Sequence, residues 1–140
     1  MGAWGVDPFD NDDAADWAAE FEGLDRGAGL RVLEAALAGA NGTGYIEAGE
    51  GSLAVAAAQV VAWLLVPPEA VPSPYGAAAV AWTLRNGQSP SRAMIAGARR
   101  ALGRVRSEES ELAELWGETA DDRWHLDLQR IDGVLGDRPP

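Results

Sequence analysis

The chain has no cysteine, no lysine and a single histidine, His125, among its 140 residues. The missing cysteine excludes disulfide scaffolds, thiolate zinc sites and Cys nucleophiles, and accords with a reducing compartment. A membrane-length apolar run is also missing. Leu53 to Val66 has thirteen apolar residues of fourteen, with Gln59 the exception, whereas a span needs about 20. The first ten residues carry no basic residue and no apolar run of signal-peptide length. Val6 stands where a myristoylation motif wants Ser or Thr. These absences point to the cytoplasm, with no membrane contact. What is abundant is acid: 22 Asp and Glu face 11 basic residues, all Arg, for a net charge of -11, and 47% of the residues are apolar. Such a chain can bury a core, stays dispersed through self-repulsion, and as a whole repels nucleic acid.

Apolar residues recur at helical spacing and nowhere at period 2 over a strand length. A first helix is predicted from near Asp12, with Asp10 as N-cap, Phe9 and Ala14 as a hydrophobic staple, and Ala14, Trp17, Phe21 and Leu24 facing inward. A second covers about 28–40 and is stopped by Asn41-Gly42-Thr43-Gly44. The Leu53 to Val66 run belongs to a buried central helix of about 48–66. Pro67, Pro68, Pro72 and Pro74 then impose a non-helical crossover. A short helix follows over 76–85. Ser89-Pro90 signals a restart running to about Arg106. Ser107 reads as a further N-cap, ahead of Leu112, Leu115 and Trp116. Thr119 to Asp122 has capping-box spacing and opens a last helix that buries Trp124, Leu128, Ile131 and Leu135. The predicted fold is all-α, a compact bundle of about six to seven helices around the buried central one. It forms one domain over 1–140, with an irregular arm at 1–10 and a proline tail at 139–140.

Charge is segregated along the chain. Residues 1–25 hold eight acids and no base, while 70–107 hold six Arg and no acid. Asp12, Asp16 and Glu20 follow one another at i,i+4, a like-charge spacing that costs about 0.2–0.5 kcal/mol per pair in an isolated helix. Arg92, Arg99 and Arg106 recur every seven residues and share one helix face, with a drift of about 20° per heptad. Two explanations stand: the two faces neutralise each other inside the fold, or they dock partners. A nucleic-acid groove is disfavoured because no aromatic residue interleaves with the arginines.

Candidate chemistry is sparse. Asp10 to Phe21 fails the calcium-loop pattern, with Ala15 at the glycine position and Phe21 at the bidentate glutamate position. No Gly-x-Ser-x-Gly elbow accompanies His125, and no phosphate-binding glycine motif is present. No cofactor is implied. Glu47 and Glu50, at the start of the central helix, could join His125 in a carboxylate metal or hydrolase site, although the Glu-x-x-His element of such sites is missing. Asp121 stands one turn before His125. Four of the six tryptophans fall in core phase; Trp4 and Trp82 have no assigned face and are candidate exposed anchors.

Met1-Gly2-Ala3-Trp4-Gly5, then Pro8-Phe9-Asp10-Asn11-Asp12-Asp13-Ala14 and Asp16-Trp17, resemble a bacterial family known as domain of unknown function 4259. The resemblance continues through Gly44-Tyr45-Ile46-Glu47-Ala48, the alanine-rich 53–61 segment, and Ser110-Glu111-Leu112 with Glu114-Leu115-Trp116. Gln59 departs from the glutamate expected there. The resemblance implies a small stand-alone helical protein and brings no reaction, ligand or catalytic residue.

The functional expectation is therefore a non-enzymatic module that binds another protein, in the manner of an immunity protein or antitoxin acting on a basic effector. Asp12, Asp13, Asp16 and Glu20 would steer it, with Trp4 as an anchor and Arg92, Arg99 and Arg106 as a second face. Self-association through the opposed faces is a further possibility. The enzymatic alternative is the Glu47, Glu50 and His125 site.

Overall fold

A computed structural model describes residues 7–70, 73–87 and 89–136. Among the described residues, seven α-helices run in the order α1 (Asp12–Ala19), α2 (Arg26–Asn41), α3 (Ala48–Leu65), α4 (Ala77–Arg85), α5 (Arg92–Val105), α6 (Glu111–Gly117) and α7 (Arg123–Gly136), with a 3-10 turn at Pro74–Gly76 before α4. No described residue lies in a strand. The fold is the all-α bundle that the periodicity predicts. Trp4 and the 139–140 tail lie outside the described residues.

α3 is apolar nearly all round, and such a helix is stable only when covered on every side. All six other helices pack against it. Ala54, Ala56, Ala57, Ala58 and Ala62 are fully buried or nearly so, and their short side chains let neighbouring helix axes come close. By length and composition α3 could cross a membrane, but 72% of that stretch is buried within the bundle. The surrounding helices show one apolar stripe each. Met94, Ile95, Ala98, Ala101, Leu102 and Val105 form that of α5, and Trp124, Leu128, Ile131 and Leu135 that of α7.

Several helix starts differ from the predicted ones, each for a local reason. The N-cap of α1 is Asn11, whose side chain accepts from Ala14 N at 2.8 Å. Asp10 is engaged elsewhere: its Oδ1 accepts from Ser73 Oγ at 3.1 Å, and its N–H closes a turn onto Asp7 O at 2.9 Å. α1 also stops at Ala19. Phe21 is still buried, but from a turn that ends on Gly23 with φ +77°, a conformation for which glycine carries no steric penalty. Ser91, not Ser89, caps α5 through Met94 N, and Pro90 is buried before the helix begins. Ser107 holds a turn by donating to Arg104 O at 2.6 Å.

α6 waits for Ser110, because residues 109–111 first pair with the chain ahead of α3. Ile46 N donates to Glu109 O at 2.7 Å, and Glu111 N to Ile46 O at 2.9 Å. The start of α3 has no cap from its own Glu47. Glu111 supplies one across the bridge, its Oε1 accepting from Ala48 N at 2.7 Å. A carboxylate there satisfies an orphan amide and complements the helix dipole. Thr119 likewise shapes the turn before α7, accepting from Asp121 N at 3.1 Å.

Candidate functional site

The acidic row is presented to solvent. Trp17, Ala14 and Ala18 turn inward from α1, which leaves Asp12, Asp13, Asp16 and Glu20 exposed. Asp12 and Asp13 occupy the first turn, where negative charge is favourable. Asp16 and Glu20 lie toward the C-terminal end, where it is not. Among the described residues, none of these four acids makes an ion pair, and no ion pair joins α1 to α5. Neutralisation of the acidic helix by the arginine helix is therefore not how this fold handles its segregated charge.

The arginines have divided tasks. Arg99 forms a pair with Asp132 of α7 at 2.9 Å, half-exposed, and that carboxylate raises the Arg99 pKa further. Arg104 donates to Ala40 O at 3.0 Å and Gly44 O at 2.8 Å, closing the end of α2. Arg92 is exposed and Arg106 half-buried; neither has an ion-pair partner among the described residues.

The residues of the metal alternative are not assembled. Glu47 and Glu50 are exposed at the start of α3, and His125 lies edge-on to Trp124 with ring centroids 4.8 Å apart. Asp121 serves Arg123, with a shortest contact of 2.7 Å, and these hydrogen bonds hold its carboxyl down to about 2. Among the described residues, no three His, Asp or Glu are grouped to hold a metal ion. Trp82, a candidate anchor, is fully buried and donates from Nε1 to Asp25 O at 3.1 Å. That correction follows from the brevity of α4, which offers too few residues for its phase to be read.

A cleft of about 490 Å³ lies elsewhere, lined by both charged and apolar residues: Gln59 and Trp63 of α3, the crossover from Val66 to Ala70, Asp127, Arg130 and Val134 of α7, and Asp7. A second cavity of about 360 Å³ shares Asp7, Asp127 and Arg130 and extends to Arg123 and Leu126. Gln59 is buried inside α3, and its Oε1 accepts from Arg130 Nη2 at 2.8 Å. Arg130 also donates to Asp127 Oδ1 through Nε at 2.9 Å and Nη2 at 2.7 Å. The other Asp127 oxygen is buried with no hydrogen-bond partner among the described residues. Asp7 Oδ1 accepts from Phe9 N at 2.9 Å. Burial raises the Asp7 pKa; the Phe9 bond and Arg130 oppose this, while Asp10 and Asp127 add to it.

This cleft is not foreshadowed by any motif in the sequence. Its signals were faint: one amide in an apolar run at Gln59, and an acid three residues before an arginine at Asp127 and Arg130.

The family described as "Domain of unknown function (DUF4259)" matches residues 2–127. The chain belongs to that family. No curated protein and no solved structure matches it. Two segments that carried the DUF4259 resemblance, Gly44 to Ala48 and Ser110 to Trp116, are brought together here. They meet at the Ile46–Ser110 bridge, the Glu111 cap on α3, and the bond from Tyr45 Oη to Glu114 at 3.0 Å. These residues thus form a structural joint between the start of α3 and the start of α6.

Proposed function

We propose that this chain is a non-enzymatic interaction module of the cytoplasm that binds a basic protein through the exposed face of α1. The observation that carries this reading is that Asp16 and Glu20 are exposed, lack a cation partner among the described residues, and sit toward the helix end where acids are unfavourable. Capping and the helix dipole account for Asp12 and Asp13 but not for these two. Charge that does not serve the fold is available for a partner. With a net charge of -11, it steers a cationic surface toward the acidic row and accelerates encounter at low ionic strength. Inhibition of a basic effector, the task of an immunity protein or antitoxin, fits this physics.

The test is capture at low ionic strength by the wild-type chain and by Asp16→Arg/Glu20→Arg, with bound proteins identified by native mass spectrometry. The reading expects a defined basic protein that leaves as salt rises and that the variant fails to hold. Capture of the same protein by both chains contradicts it. If the species captured is a second copy, Arg92 and Arg106 are the counter-surface, and light scattering across salt concentration measures that assembly.

A further inference from the structure

We propose that the cleft between α3, α7 and Asp7 is a binding site for a small organic cation, an ammonium group carried on an aliphatic stem. The charged groups lining it are three carboxylates, Asp7, Glu69 and Asp127, against one guanidinium, Arg130. That guanidinium is already committed, with Asp127 Oδ1 and Gln59 Oε1 as its acceptors. An anionic ligand would find the one cation engaged by Asp127 and two further carboxylates, Asp7 and Glu69, outside that pair. A cation finds the reverse.

Asp7 is the group best placed to receive it. One of its oxygens is held by the Phe9 amide, the other has no hydrogen bond among the described residues, and the side chain lines both adjoining cavities. Burial has stripped this carboxylate of part of its solvation, as the direction of its pKa shows, so a neighbouring ammonium relieves a charge that water serves poorly. The apolar lining selects the rest of the ligand. Trp63, Val66 and Val134 offer carbon surface to a stem of a few methylenes, whose burial is favourable. At about 490 Å³ the cleft falls within the range of small-molecule sites. None of its residues belongs to the α1 face, so this site stands or falls independently of the protein partner.

The experiment is a ¹⁵N-resolved NMR titration of the full chain at low ionic strength with n-butylammonium, and with 1-butanol as the uncharged control, read at the Gln59 side-chain amide and the Trp63 indole. Two variants accompany it. Asp7→Asn keeps an acceptor for the Phe9 amide while removing the charge, and Val134→Phe fills the cleft from α7. Saturable shifts are expected with butylammonium and not with butanol, weakened about fivefold in Asp7→Asn and lost in Val134→Phe. Equal shifts from butanol, unchanged affinity in Asp7→Asn, or no saturation up to about 50 mM would each overturn the assignment.

Discussion

The indole of Trp82 fills the space that a side chain at Gly29 would need, with both residues buried. α4 and α2 meet here through a ring against bare backbone, and the same indole ties down the carbonyl of Asp25, which also caps α2. Gly29→Ala would force the ring to move in a packed interior, where such insertions cost about 1–3 kcal/mol. Thermal unfolding of that variant is expected to show a lowered Tm. Gly103→Ala, whose added methyl meets no atom within 4 Å, should be neutral or stabilising.

Glu111 gives a second test, because it caps a helix other than its own. Glu111→Ala removes the acceptor for Ala48 N, and a lost N-cap costs about 0.5–2 kcal/mol. Glu111→Gln keeps an oxygen there and should recover most of the stability. Chemical denaturation of the pair separates the hydrogen bond from the charge. Equal loss in both variants would mean that the carboxylate acts through the dipole alone.

Arg104 and Arg99 lie on the same helix and predict different costs. Arg104 donates to the part-buried carbonyl of Ala40 and the exposed one of Gly44, so Arg104→Ala leaves the Ala40 acceptor at the end of α2 without its donor and should cost about 1–3 kcal/mol. Lysine, a point donor without the guanidinium fork, would not restore both bonds. Arg99→Ala breaks an exposed pair with Asp132 and should cost under about 1 kcal/mol. Urea midpoints measured side by side give the comparison.

Two carboxyls respond to acid in opposite directions. The Asp121 pKa is lowered from 3.8 to about 2 by Arg123. Its contribution to stability is therefore complete above pH 3.8 and disappears as pH falls through about 2. The Asp7 pKa is raised above 3.8 by burial. Its contribution is complete below pH 3.8 and declines as pH rises through its raised value. Asp7→Asn should accordingly be more favourable to stability at pH 7 than at pH 3. A calorimetric pH series on the two proteins checks this, and a difference in Tm that does not vary with pH would contradict it.

The helices were legible because burial leaves a periodic trace: α7 buries the four residues its spacing nominates, and α3 lies within one residue of its predicted bounds. Their first residues were harder to place. Cap-competent residues come in clusters here, and contacts distant in sequence choose among them, as Ser73 does by engaging Asp10 and Ile46 by engaging residues 109–111. The exposure of the α1 acids followed from helical phase, since Trp17 and Ala14 had to face inward. Their lack of arginine partners did not follow, because it depends on where α5 packs. The cleft was beyond reach for the same reason: Asp7, Gln59 and Asp127 belong to segments that only the tertiary fold brings together.

The central claim is that the acids of α1 serve a partner and not the fold. Its most direct measurement is native mass spectrometry of complexes formed at low ionic strength in lysate of the protein's own host, comparing the wild-type chain with Asp16→Arg/Glu20→Arg. The account predicts one defined basic protein on the wild type, released as salt rises and absent from the variant, with both chains equally stable. A wild type that holds no protein, or a variant that holds the same one, would contradict it.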